Sequence, residues 1–229
     1  MVGVPKTIDN DIGCTDVTFG FDTALCTATE AIDKLHTTAE SDHRVMIVEV
    51  MGRNAGWLAL RSGLAGGGDV ILIPEIPFSL QAIVQKIAGR RAQGRLFSII
   101  VVAEGAQPLG GQQVYQPAAT SVEQSRLGGI GQWLADAMRG LCDYEIRVVV
   151  LGYIQRGGSP SPFDRILATR FGAAAVRTVA EGQLDVMVAL RSTEIITVPL
   201  GEAIAQVRVV PLTSDLILTA QGLGICLGA

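Results

Sequence analysis

Val45-Met46-Ile47-Val48-Glu49-Val50-Met51-Gly52-Arg53 is the stretch that decides the fold class. Its first six residues are apolar and β-branched almost without a break, the composition of a strand covered on both faces, as in a parallel sheet. Upstream, Gly20 to Ala39 places Ala24, Leu25, Ala28, Ala31, Ile32 and Leu35 at i, i+3, i+4 spacing, which predicts an amphipathic helix. Downstream, Asn54 to Leu64 reads as a helix and Val70-Ile71-Leu72-Ile73 as a strand closed by Pro74. Ser79 then caps a helix whose apolar stripe is Leu80, Ile83, Val84 and Ile87. Phe97 to Ala103 is a third buried strand with Glu104-Gly105 at its carboxyl end, and Arg147 to Leu151 is a fourth. Between them, residues 106–124 are polar and rich in Gln, Gly and Pro, a surface excursion. Ser121 and Gln124 form a possible capping box for a helix running to about Leu141, although Gly128, Gly129 and Gly131 interrupt it. Ser161, Pro162 and Asp164 occupy the N-cap, N1 and N3 positions of a last helix ending near Gly182.

Strand alternating with helix predicts an α/β chain with a doubly wound parallel sheet, in which ligands bind beyond the carboxyl ends of the strands. The residues at those ends are Met51-Gly52-Arg53, Glu104 and Tyr153 through Arg156, so a site is expected where they converge. The 229 residues, 48% of them hydrophobic and 17% charged with a net charge of −4, exclude intrinsic disorder. No uninterrupted apolar run is long enough for a transmembrane helix, and Met1 to Lys6 lacks the features of a signal peptide. The acidic pI near 5.2 argues against a nucleic-acid partner. Cys14, Cys26, Cys142 and Cys226 lack CxxC spacing, which argues against zinc ribbons and disulfide frameworks and suits a reducing, cytoplasmic setting. Fifteen of the 18 basic residues are Arg, the better side chain for forked contact with phosphate.

Three segments carry candidate chemistry. In Pro5-Lys6-Thr7-Ile8-Asp9-Asn10-Asp11, two carboxylates with a Thr and a Lys upstream suit a general base and a metal partner in phosphoryl transfer; an Asx-rich turn has the same composition. Met51-Gly52-Arg53 offers a free backbone N–H and a guanidinium, an anion clamp or simply a strand-end Gly with a solvated Arg. Gln155-Arg156-Gly157-Gly158-Ser159-Pro160 pairs an Arg with a glycine turn before a helix, a phosphate cradle or an ordinary turn. Leu127-Gly128-Gly129-Ile130-Gly131 departs from GxGxxG and reads as structural, and His36 and His43 read as surface residues at the end of the first helix.

Taken in order, these segments, with Val102-Ala103-Glu104-Gly105, Leu151-Gly152-Tyr153-Ile154 and the helix start Phe163-Asp164-Arg165, resemble the 6-phosphofructokinase family nearly from end to end. The resemblance implies a three-layer α/β/α fold of two lobes, the phosphoryl-donor lobe incomplete. Residues 20–154 and 206–229 would form the sugar-phosphate lobe, and residues 1–19 and 155–205 the remainder of the donor lobe. It implies phosphoryl transfer from ATP or pyrophosphate to the 1-hydroxyl of fructose 6-phosphate, a step of glycolysis that uses Mg2+. Asp9 matches the general base, Asp11 a second catalytic carboxylate near the metal, Thr7 a transfer-site contact and Arg53 a transition-state arginine. Met51, Gly52 and Glu104 match sugar-contacting positions and Arg156 a binder of the 6-phosphate. Arg44 and Arg147 match arginines reaching the 6-phosphate from a neighbouring subunit, which implies a homo-oligomer with shared sites. Tyr153 stands where many members carry His, leaving a hydrogen-bonding phenol in place of a positive charge. Members also have a substantial portion upstream of the segment at Asp9, holding the glycine-rich donor segments and the principal magnesium ligand; the alternative expectation is therefore a non-catalytic sugar-phosphate-binding or interaction protein. Lys6 is typical of pyrophosphate users, yet some ATP users share it, so the donor stays open at this point.

Overall fold

In the computed structural model, residues 1–116 and 126–229 are described. In chain order the strands are β1 (Val2–Gly3), β2 (Lys6–Thr7), β3 (Phe19–Gly20), β4 (Val45–Val50), β5 (Val70–Leu72), β6 (Ser98–Ala103), β7 (Tyr115–Gln116), β8 (Arg126–Leu127), β9 (Ile146–Val150), β10 (Val186–Arg191) and β11 (Glu194–Pro199). The helices are α1 (Phe21–Ser41), α2 (Trp57–Ala65), α3 (Leu80–Ala92), α4 (Ile130–Arg139), α5 (Pro162–Ala180), α6 (Leu200–Ala205) and α7 (Asp215–Gly222), with a 3-10 helix at Gly152–Arg156.

The main sheet runs β5-β6-β4-β9, every neighbouring pair parallel. All six residues of β4 and of β6 are buried, as strands covered on both faces must be. Alternate residues feed opposite layers. Met46, Val48, Val50, Ile99 and Val101 pack with Ala24, Ala28 and Ile32 of α1, Leu58 of α2, and Ile217 of α7. Val45, Ile47, Ile100 and Val102 pack with Ile83 and Ile87 of α3, and Leu134 and Met138 of α4. The result is the expected three-layer α/β/α arrangement. A second sheet, β1-β10-β11, joins the parallel pair β1–β10 to an antiparallel hairpin.

Strand order locates the site. The chain leaves β4 for α2 on one face of the sheet and leaves the adjacent β6 for α4 on the other. Neighbouring strands whose connections part in this way leave a crevice at their carboxyl ends, the usual ligand position in open α/β sheets.

Several expectations need correction. The helix expected from Ser121 to about Leu141 is described only from Ile130, where α4 begins, and Arg126–Leu127 ahead of it is a strand; Ser121 and Gln124 lie outside the described residues. Gly128 and Gly129 at φ 137° and 88° hold the chain in the left-handed region, and the carboxylate of Glu49 accepts the Gly129 and Gly131 amides at 2.9 and 2.8 Å. A buried acid in β4 thus caps α4, and the glycines serve it. α2 starts three residues later than expected: Gly56 N–H is taken by Glu75 Oε1 at 3.0 Å, and a Cβ at Gly56 would run into the Ile73 side chain. His36 is tied down rather than on the surface, with Nε2 2.6 Å from Gly66 O and its ring edge-on to Phe97. The Ser161 cap holds: its Oγ accepts Asp164 N–H, while Asp164 turns to accept both the amide and the hydroxyl of Thr23 on α1.

Ile47 lies fully buried at the centre of the sheet. Ile47→Ala is expected to lower stability by about 2–5 kcal/mol, whereas Leu109→Ala, at a side chain 72% exposed, is expected to stay within about 0.5 kcal/mol; urea denaturation of the two variants checks the contrast.

Candidate active site

The site begins with one carboxylate joining two strand ends. Glu104, just past β6, accepts through Oε1 the N–H of Gly52 at 3.2 Å and of Arg53 at 2.9 Å, just past β4. The two amides point the same way because Gly52 and Arg53 have φ of 138° and 51°. A Cβ on Gly52 would lie 2.7 Å from Ala55 O, and one on Gly105 would run into the Arg53 carbonyl oxygen. The MGR turn and the EG turn therefore interlock at backbone distance. Gln113, from the excursion after β6, donates to Gly105 O at 2.9 Å and to Asn54 Oδ1 at 3.0 Å, closing the outer rim.

The loop after β2 brings the acids to this edge. Asp9 is 6% exposed, and its Oδ2 accepts the Thr7 hydroxyl at 3.2 Å while its own N–H donates to Thr7 Oγ1 at 3.1 Å. Arg53 Nε lies 3.8 Å from the same Oδ2. The other oxygen, Oδ1, is buried with no hydrogen-bond partner among the described residues. Burial pushes the Asp9 carboxyl above its ordinary range and Asp11 adds to the shift, against the opposing pull of the Thr7 hydroxyl, Arg53 and Arg156. Burial likewise raises the Glu104 carboxyl, with Asp9 and Glu49 adding to it and the Arg53 and Gly52 amides opposing. Asn10, fully buried at φ 56°, turns the chain between the two acids, and its Oδ1 accepts Thr18 N–H at 3.0 Å.

Thr7, Asp9, Asp11, Gly52, Arg53, Glu104 and Arg156 thus gather at one edge. Met51 lies beside them, partly buried against the apolar layer of α1 and α2. The segment after β9 is a 3-10 helix through Arg156, followed by the Gly157-Gly158 turn ahead of α5, with Tyr153 65% exposed and the Arg156 guanidinium 5.5 Å from its ring centroid. Lys6 is exposed on β2. Arg44 and Arg147 lie elsewhere: Arg44 precedes β4, Arg147 pairs with Met46, and both meet Glu145. That is the amino end of the sheet, about 20 Å from the Gly52 turn at roughly 3.3 Å per residue.

Mg2+ commonly takes one or two carboxylates and fills its other positions with water and substrate phosphate. Asp11, partly exposed and so within reach, fits such a partial set. Among the described residues no group of three His, Cys, Asp or Glu side chains could hold a metal alone. No described helix is long and apolar enough to cross a membrane.

Pattern reading along the chain passed over Glu49 and Gln113. Glu49 had a sequence signal, a lone acid inside an apolar strand, which burial obliges to find donors. Gln113 had none, because its partners lie 8 and 59 residues away.

Gly105→Ala is expected to destabilise the protein by about 1–3 kcal/mol through backbone displacement. Gly172→Ala on α5, where an added Cβ meets nothing within 4 Å, is expected to be neutral or to stabilise by about 0.5–1 kcal/mol; denaturant midpoints decide between them.

Comparison with known proteins gives the same picture. The family model described as Phosphofructokinase matches residues 1–179. The chain is 58% identical over 228 residues to an ATP-dependent 6-phosphofructokinase of Chloroflexus aurantiacus, covering 100% of this chain and 62% of that protein. It is 56% identical over 213 residues to a pyrophosphate–fructose 6-phosphate 1-phosphotransferase of Amycolatopsis mediterranei, covering 93% of this chain and 62% of that protein. Among solved structures, Saccharomyces cerevisiae phosphofructokinase superposes with a TM-score of 0.75 at 35% identity, over 89% of this chain and 26% of that one. A pyrophosphate-dependent phosphofructokinase from Marinobacter aquaeolei gives 0.77 at 28% identity, over 99% of this chain and 56% of that one. The chain spans about 62% of the length of the curated relatives it matches. By the family match over most of its length, and by relatives that share more than half of its residues, the chain belongs to the phosphofructokinase family.

Proposed function

We propose that this chain supplies the sugar-phosphate side of a 6-phosphofructokinase, transferring a phosphoryl group to the 1-hydroxyl of fructose 6-phosphate. The observation that carries the proposal is the Asp9 carboxylate: one oxygen is held by Thr7 and faced by Arg53, the other is buried and unpartnered. In this reading Asp9 Oδ1 takes the proton of the 1-hydroxyl as that oxygen bonds to the donor's terminal phosphorus and the bond to the leaving group breaks. A carboxyl raised by burial is a better base than an ordinary aspartate. Arg53 offsets charge on the transferring group, and Glu104, already bound by two amides on one oxygen, offers the other to sugar hydroxyls. Arg156 takes the 6-phosphate, and Tyr153 beside it adds a neutral hydrogen-bonding group. A magnesium ion supplies charge neutralisation at the donor phosphates, with Asp11 as this chain's carboxylate for it.

Other parts of the proposal rest on placement. Arg44 and Arg147 are too far from Asp9 to serve the same site, which supports their use by a second copy of the chain and hence a homo-oligomer. The proposed sugar-phosphate lobe, residues 20–154 and 206–229, accords with α7 packing on the main sheet; the donor-lobe remainder, 1–19 and 155–205, accords with the separate β1-β10-β11 sheet. Relatives named for ATP and for pyrophosphate share nearly equal identity with the chain, so overall similarity does not select the donor.

Asp9→Asn is expected to lower kcat by about 10²–10⁴-fold while fructose 6-phosphate affinity, measured by calorimetry, changes by no more than about threefold; equal losses of rate and affinity would contradict the base. Burial first and Asp11 second raise the Asp9 carboxyl, against the opposing pull of the Thr7 hydroxyl, Arg53 and Arg156. Because the base must be deprotonated, activity is expected to fall on acidification at a pH above the ordinary aspartate value of 3.8. Arg44→Ala and Arg147→Ala are expected to weaken sugar-phosphate binding rather than to slow turnover at saturation, which steady-state kinetics separates.

A further inference from the structure

Arg208 lies 198 residues along the chain from the Asn10 carbonyl oxygen, to which its guanidinium donates at 3.1 Å. Its own backbone N–H donates to Asp11 O at 2.8 Å, and the next residue pair, Ile12 and Val207, forms an antiparallel bridge. Two successive carbonyls of the acidic loop are therefore held by one residue. The guanidinium carbon also sits 4.2 Å from the ring centroid of Trp57, whose indole N–H donates to Arg208 O at 2.9 Å. Trp57 opens α2, four residues after Arg53. One half-buried side chain thus connects the loop that carries Asp9 and Asp11 to the element that follows the Gly52–Arg53 turn.

This connection has a specific load. Asn10 is a non-glycine residue at φ 56°, a conformation that needs outside contacts to persist. Thr18 holds its side chain and Arg208 holds its carbonyl. Neighbouring elements hold Glu104, Gly52 and Arg53 to one another without Arg208. Losing the clamp should therefore move the base and leave Glu104, with the two amides it holds, in place.

We propose that Arg208 is a positioning residue, fixing the Asp9–Asp11 loop against the Trp57 end of α2 so that the Asp9 carboxylate faces the sugar's 1-hydroxyl. The inference rests on the assignment of Asp9 as base. Arg208 touches no reacting atom; it acts through the Asn10 and Asp11 carbonyls.

The test compares Arg208→Gln with the unaltered protein in three measurements: fructose 6-phosphate titration, turnover with ATP or pyrophosphate and Mg2+, and amide hydrogen exchange. A displacement of about 1 Å lowers rates by about 100-fold, so kcat is expected to fall 10- to 100-fold with KM for fructose 6-phosphate changed by no more than about threefold. Exchange is expected to quicken at the Asp9 and Thr18 amides, which donate to Thr7 Oγ1 and Asn10 Oδ1, and to stay unchanged at Val48 and Val101. Unchanged kcat, or kcat and KM worsening together with faster exchange across β4 and β6, would overturn the proposal. Trp57→Phe keeps an aromatic face but loses the indole N–H donor and part of the ring that the Arg208 guanidinium covers, and should show the same split on a smaller scale even if Arg208→Gln does not fold. Absence of turnover in the unaltered protein would instead overturn the phosphotransferase assignment, and the exchange measurement would still decide whether Arg208 holds the loop.

Discussion

The Glu104 carboxylate, accepting the Gly52 and Arg53 amides from the next strand, is the constraint from which the rest of the site follows. A carboxylate with two convergent backbone donors fixes the separation of β4 and β6 where their connections part to opposite faces. Fixing that separation forces Gly52 and Arg53 into the left-handed region and leaves no room for a side chain at Gly105. Arg53 is then aimed across the crevice toward Asp9, and the burial of both acids follows from the closeness of the turns.

The same device recurs through the molecule. Glu49 caps α4 through Gly129 and Gly131, and Glu75 ties Gly56 at the start of α2 to Val210 of the carboxyl-terminal segment. Asp69 accepts Ile99 N–H and pairs with Arg90, and Asp164 joins α5 to Thr23 of α1. In a chain with only 17% charged residues, these acids set how helices seat on the sheet, and each accepts at least one backbone amide. The apolar layers supply the bulk of the stabilisation, while the carboxylates select one arrangement of the loops.

Much of this was legible along the chain because it is local. The buried strands announce themselves as unbroken apolar runs, and the Ser79 and Ser161 caps obey spacing rules that require no tertiary knowledge. Arg53, Glu104 and Arg156 could be gathered in advance, since parallel strands place their carboxyl ends on one edge, whereas Asp9 joined them through the family resemblance. What escaped depends on distant partners. The start of α4 is set by Glu49, some 80 residues upstream, which no local spacing rule reveals. Arg208 carries no motif at all, and only the closing of the carboxyl-terminal segment onto the Asn10 turn gives it a role. Placing Arg44 and Arg147 apart from Asp9 needed the strand register, which the residue pattern alone does not provide.

The most direct measurement is a titration of ¹⁵N-labelled protein with fructose 6-phosphate, following backbone amide shifts. The account predicts that Asp9, Gly52, Arg53 and Arg156 move together along one saturable curve, while Ile195 and Thr197 on β11, in the second sheet, stay still. Saturable shifts centred away from the β4–β6 crevice, or none at millimolar sugar phosphate, would contradict it.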